Sequence, residues 1–307
     1  MTPTLPPSGD QFTITHGDQR AVVVEVGGGI REYTAAGRPV LDPYPVGALC
    51  DGAHGTPLIP WPNRLADGRY RFDGVDYAVP PTEPEKGNAI HGFLLWQPWH
   101  ATRSRTNAVT MRTQLPPRPG YPFRLDVEVR YELSDDGLAV TTTATNLATA
   151  AAPYGFGQHP YLSPGQGRID DAHLEFHAGT RITTDPDRQL PTGTEPVAGT
   201  AFDFTTARRL GTTSIDYAFT DLHRDADGVA WVRLRGPDGA TAELWTDESL
   251  PYLELFTGDT LAPDRRRLGL GVEPMTCPPN AFRTQDHVVR LAPGASKTTR
   301  WGARLRR

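Results

Sequence analysis

LDVEVRYELSDDGLAVTTTATNL, residues 125–147, is written in period two. Leu125, Val127, Val129, Tyr131 and Leu133 fall on one face of an extended chain, and Asp126, Glu128, Arg130 and Glu132 on the other. Successive side chains of a strand point to opposite faces, so the pattern predicts a strand with one face in a core and one in water. SDDG is then a turn, and the Thr-rich LAVTTTATNL has the β-branched character of a partner strand. The two runs predict a hairpin.

The same device recurs on both sides. YRFDGVDYAV turns at Asp73-Gly74, and VRLRGPDGATAELW turns at Asp238-Gly239. A sustained 3.6-residue apolar period is absent. With 31 Gly and 30 Pro punctuating many short apolar runs, the expected class is all-β, a large antiparallel sandwich or barrel with few short helices. Pro-rich pieces such as PPTEPEKGN (residues 80–88) and QLPPRPGYPF (residues 114–123) predict ordered loops between strands. No low-complexity linker or composition break divides the chain, so one domain over residues 1–307 is expected.

Composition removes several classes of function. The formal charge of −5 is spread among interspersed signs, with no basic stripe for nucleic acid; Arg304, Arg306 and Arg307 make only a short basic end. Cys50 and Cys277 give neither a disulfide framework nor a metal-ligand spacing. MTPTLPPSGDQF has no cationic start and no apolar run, so no leader peptide is expected. No apolar run is long enough to span a bilayer. The expectation is a soluble cytoplasmic protein.

Most of the nine histidines need no chemical role. His16, His100, His223 and His287 sit among polar or turn residues. In HLEFH, His173 and His177 would share a helix face, but the alternation predicts a strand with His173, Glu175 and His177 on its exposed side, so no metal site is expected there. Four other places set polar groups in apolar or tightly turned surroundings. In PLIPWPNRL, Arg64 either anchors a loop or presents its planar fork to vicinal hydroxyls or a carboxylate. In NAIHGF, His91 precedes a glycine that permits close backbone approach. In PYGFGQHPYL, His159 lies among turn residues and aromatics. In LGLGVEPMTCPPNAF, Glu273 ends an apolar, Gly-rich strand, where a carboxylate is costly to bury unpaired and has a tunable pKa.

Together with IPWPNRLADGRYRFDGVDYAV, IDYAFTDL, LWTDESLPYLELFTGD, LPTGTEPVAGTAFDF and LAPGASKTTRW, these stretches resemble the aldose 1-epimerase (galactose mutarotase) family, in order, from about Val22 to Trp301. The resemblance implies the galactose-mutarotase β-supersandwich and an enzyme interconverting the anomers of a free aldose such as glucose or galactose. It implies His159 as the acid that protonates the ring oxygen and Glu273 as the base that takes the C1 hydroxyl proton. It implies Arg64, His91 and Asp216 as the residues that bind the sugar. No cofactor or metal is implied, and the partner is a monosaccharide, with no nucleic acid or membrane and a monomeric or homodimeric chain. Trp61, Trp96 and Phe282 are candidates for an aromatic platform. Where many members have HPYFN and HGG, this chain has HPYLS and HGF, differences that bear on the sugar accepted and not on the acid–base pair.

Three rival functions remain at this stage. A hexose-6-phosphate 1-epimerase would need Arg or Lys near the site, and GFLLWQPW after His91 supplies none. A non-catalytic sugar-binding module would need neither His159 nor Glu273. A glycoside hydrolase would need two carboxylates, for which Asp216 and Glu273 are available.

Overall fold

In the computed structural model, which describes residues 5–307, the hairpin read from residues 125–147 closes antiparallel from Leu125↔Asn146 to Ser134↔Gly137. Residues 1–4, the start of the stretch read for a leader, lie outside the described residues. Leu125, Val127, Val129, Tyr131 and Leu133 are all buried in the main core, while their polar neighbours face outward. The hairpins at Asp73-Gly74 and Asp238-Gly239 also form. HLEFH is a strand over His173–Phe176, with Leu174 and Phe176 buried and His173 and Glu175 partly exposed.

The Leu125–Asn146 hairpin belongs to a nine-stranded sheet that also holds the last strand, Ser296–Arg306; a twelve-stranded sheet faces it. One apolar cluster draws on both, joining Val127, Val129 and Trp301 from the first to Leu253, Leu255 and Val272 from the second. The result is the large all-β sandwich expected. Among the described residues helix is limited to Ala281–Thr284 and a 3-10 turn, Ile169–Asp171. No helix is long and apolar enough to cross a membrane.

Three adjacent strands of the larger sheet position the chemistry. Leu270–Met275 pairs with Tyr252–Phe256, which pairs with Asp216–Leu222. Leu270, Val272, Leu253, Leu255 and Phe219 point into the core. Alternation therefore sends Gly271, Glu273, Glu254, Phe256 and Asp216 to the opposite face. Glu254 lies directly across from Glu273, and Phe256 from Gly271 and Asp216. A one-residue slip would exchange the two faces, exposing residues whose burial is each worth about 1.5–3 kcal/mol, so the apolar half of each strand holds the carboxylates in register.

Candidate active site

The stretch around His159 is three short strand pieces, Ala152–Tyr154, Gly157–Gln158 and Tyr161–Leu162, rather than a helix. Its glycines have packing reasons: a Cβ on Gly155 would lie 2.7 Å from Cys277 Sγ, and one on Gly157 2.8 Å from Pro62 Cβ. The His159 backbone is held at both ends, its N–H donating to Thr56 O (3.1 Å) and its carbonyl accepting from Gly55 N (2.8 Å). Gln158 anchors the loop from beneath. Its amide donates to Gly55 O and Tyr131 Oη and accepts from Trp301 Nε1, so every buried polar group of that side chain is engaged.

Pairing of Tyr161 with Gly271 carries His159 onto the carboxylate face. Its Nε2 lies 3.1 Å from Glu273 Oε1, and both residues are buried. His159 Nδ1 and Glu273 Oε2 have no hydrogen-bond partner. Buried polar atoms without partners are rare unless a ligand or water completes them. Burial drives His159 well below the ordinary histidine range, with His91 and His54 adding to the effect. Burial likewise drives Glu273 well above the carboxylate range, reinforced by Asp216 and opposed by Arg64. Both shifts favour a neutral pair that holds one proton between two groups.

Arg64 belongs to, and His91 directly follows, a two-stranded ribbon, Arg64–Ala66 with Asn88–Ile90, set over this face. Gly92 after His91 has φ +68°, and a Cβ there would be 2.1 Å from Ile59 O, so the close approach expected of NAIHGF is real. The Asn63 backbone N–H donates to His91 Nδ1 (3.2 Å). A backbone N–H can only donate, so the ring's proton sits on Nε2, which is left as a donor. Desolvation, together with the Arg64 charge, pushes His91 down to about 3, keeping it neutral.

Candidate ligand atoms of His91, His159 and Glu273 lie within 4.8 Å of one another. Cation binding needs an imidazole nitrogen with a free lone pair, and Asn63 occupies that of His91. The trio therefore suits hydrogen bonding to a substrate better than a metal.

Arg64 presents its fork to a carboxylate, one of the alternatives its sequence left open. Its fork is engaged by Glu83, through Nε (3.0 Å) and Nη2 (3.2 Å), leaving Nη1 without a protein hydrogen bond among the described residues. Glu83 lies in PPTEPEKGN, read only as a loop, and it also holds Lys86 at 3.1 Å. Asp216 accepts a hydrogen bond from Gln189.

Glu254 was missed as well, although YLELF carried the same alternation as the Glu273 strand. It is buried with one carboxylate oxygen unpartnered. Burial, then Asp216 and Glu273, hold its pKa well above the usual range.

A cavity of ≈ 440 Å³ is lined by Arg64, Glu83, Lys86, His91, Trp96, His159, Tyr161, Gln189, Asp216, Phe256 and Glu273, among others. All five residues singled out in the sequence line it. Of the aromatic candidates only Trp96 does. Trp61 and Phe282 are buried against each other, Trp61 also against Phe93, because apolar packing beneath the ribbon consumes their faces.

A family model described as "Aldose 1-epimerase" matches residues 10–302. The chain belongs to the aldose 1-epimerase family. It is 34% identical over 288 residues to the uncharacterized protein YihR of Escherichia coli K12, covering 94% of this chain and 90% of that one. To the Escherichia coli K12 aldose 1-epimerase it is 26% identical, over 69% of this chain and 64% of that one. Among solved structures, the GalM/aldose epimerase homologue of C. elegans superposes with TM-score 0.85 at 17% identity, covering 97% of this chain and 98% of that chain. At that identity the likeness is one of fold, and it identifies the sandwich of this aldose 1-epimerase family member as the galactose-mutarotase-like type.

Proposed function

We propose that this chain is an aldose 1-epimerase that interconverts the α and β anomers of a free aldose, such as glucose or galactose, by opening and reclosing the ring. The observation that carries it is the 3.1 Å contact of His159 and Glu273 at the wall of a sugar-sized cavity, each with an unpartnered atom. Ring opening needs a proton delivered to the ring oxygen and another removed from the C1 hydroxyl. Catalysis with His159 as acid and Glu273 as base starts from the less favoured form of the pair, with the shared proton on His159 and the carboxylate ionised, and that proton leaves for the ring oxygen. Glu273 takes the hydroxyl proton as the ring C–O bond breaks and the C1 carbonyl forms. The sugar stays neutral, and the site ends as neutral imidazole and protonated carboxyl, the state burial favours. Rotation about C1–C2 and the reverse transfers give the other anomer. Each positioned proton transfer typically contributes about 10²–10⁴-fold in rate.

His91 donates from Nε2 to a sugar oxygen, while Arg64 Nη1 and Asp216 bind hydroxyls. The two cationic side chains in the lining, Arg64 and Lys86, both rest on Glu83. A phosphate would have to displace that carboxylate, so an uncharged sugar fits better. Glu273 contacts an imidazole at 3.1 Å, and a histidine–carboxylate pair serves ring opening, whereas a glycoside hydrolase works with two carboxylates.

Polarimetry on freshly dissolved α-D-glucose, other aldoses and glucose 6-phosphate tests this directly. We expect catalysed mutarotation of at least one free aldose and a slower rate on the phosphate. His159→Ala and Glu273→Ala should each lower kcat by at least about 10²-fold, the contribution of one positioned proton transfer. Binding without turnover by the parent protein would leave only a sugar-binding module, and near-parental activity of either folded variant would sink the role assignment.

A further inference from the structure

A histidine that works through one ring nitrogen is usually held in plane by a hydrogen bond from the other. His159 lacks that device, since its Nδ1 is buried without a partner. Rings take its place. Tyr161 stacks on the imidazole at 4.8 Å between centroids and 13° between planes. His91 and Phe256 meet it edge-on, at 76° and 85°. With the Glu273 contact at Nε2 restraining one edge, the flat face of Tyr161 is the contact that bears on the tilt of the His159 ring.

Tyr161 is itself pinned. Its hydroxyl donates to Gly52 O (2.7 Å), and its carbonyl accepts from Asp42 N (2.8 Å). A second imidazole, His54, stacks on it at 3.8 Å and 7°. His54 is 3% exposed and does not line the cavity. Its Nδ1 donates to Asp51 O (2.8 Å), and its Nε2 meets Asp42 Oδ2 (3.1 Å) and Arg265 Nη2 (3.2 Å). Asp42 and Arg265 are paired at 2.8 Å, and Tyr44 closes the remaining edge. Three near-parallel rings thus run from a braced charge cluster to the acid–base pair.

We propose that His54 is a positioning residue: braced by Asp42, Asp51 and Arg265, it fixes the plane of Tyr161 and, through it, the imidazole of His159. The proposal rests on the reading of His159 as the proton donor. His54 also bears on the titration of that imidazole, because burial and the proximity of His91 and His54 all hold His159 low. Loss of the His54 ring loosens the stack and relieves two of those causes, so His159 should titrate higher.

The test compares His54→Ala with His54→Phe in the full chain, reading mutarotation kinetics and imidazole NMR of the 15N-histidine-labelled protein. Both variants lose the Asp42 and Arg265 contacts, so both should melt lower than the parent. His54→Ala should lose kcat by up to about 10²-fold, the scale of a misplacement on the order of 1 Å, with little change in KM. Its His159 resonance should broaden and its midpoint rise. His54→Phe restores a flat ring and its burial but not the imidazole, so it should recover most of kcat and bring the midpoint part of the way back toward the parental value. A folded His54→Ala protein with parental kcat and midpoint overturns the proposal, and so does a His54→Phe protein no better than His54→Ala.

If neither folds, Tyr161→Leu against Tyr161→Phe asks the same question. The leucine variant should lose kcat and the phenylalanine variant keep it, and equal activities overturn the proposal. If the parent turns over no aldose, the epimerase reading falls, and the NMR comparison alone decides the positioning role.

Discussion

Glu273 and His159 illustrate how burial can prepare a proton-transfer pair without any strong ion pair. Each is pushed toward its neutral form, so the pair adds a second proton only below the ordinary histidine value of about 6.5 and loses its shared proton only above the ordinary carboxylate value of about 4.3. We expect the acid limb of kcat/KM for mutarotation, corrected for the uncatalysed rate, to lie below the ordinary histidine value of about 6.5, because that limb reports the second proton going onto His159. Activity lost on acidification at or above that value would contradict the lowered titration of His159. Glu254 gives a stability prediction of definite sign. Its raised folded pKa means the native state keeps a proton that the unfolded chain loses, so its contribution is full below about pH 4.3 and is lost as pH rises toward the folded value. Glu254→Gln should therefore match the parent near pH 4 and exceed it at pH 8, the gap opening by at most about 1.4 kcal/mol per pH unit. Denaturant titrations at several pH values would read it, and a variant less stable at pH 8 would contradict it. This carboxylate was accessible from YLELF by the logic that found Glu273. Glu83 was not, because a Pro-rich loop has no period from which to infer a face.

The strands and the ribbon show where local pattern suffices. Alternation in residues 125–147 predicted which side chains enter the core, and each of those residues is buried. The ribbon depends instead on backbone geometry. His91 has φ +62° and Gly92 φ +68°, a left-handed pair that turns the chain back over Ile59. Gly92→Ala has both a disfavoured φ and a collision with Ile59 O, and we expect a loss of roughly 1–3 kcal/mol in thermal or denaturant unfolding. Because His91 is the adjacent residue, the same variant should raise KM for the aldose more than it lowers kcat. An unchanged KM would place His91 outside sugar binding. The glycine was visible in NAIHGF; the carbonyl it must clear belongs to Ile59, in a distant segment of the chain, and was not.

Across the whole molecule, the two sheets are joined at the site by Trp301, which is fully buried in the last strand and donates to the Gln158 side chain beneath His159. Trp301→Phe keeps most of the packing but leaves Gln158 Oε1 short of its donor, a loss of about 1–3 kcal/mol. We expect a lower melting temperature and, from the loosened loop, a lower kcat; an unaltered kcat at reduced stability would show that the loop does not depend on the opposite sheet. LAPGASKTTRW placed Trp301 within the family resemblance but said nothing of this partner. The sequence by itself determined the strand periodicity, the all-β class, the family and five of the cavity residues, because alternation and motif order are local and survive without coordinates. Only the tertiary structure decided that Arg64 rests on Glu83, that Glu254 faces Glu273, that Trp61 and Phe282 are core, and that His54 braces the ring stack. Those facts depend on which distant strands become neighbours, and strand order is set by packing of the two sheets as a whole.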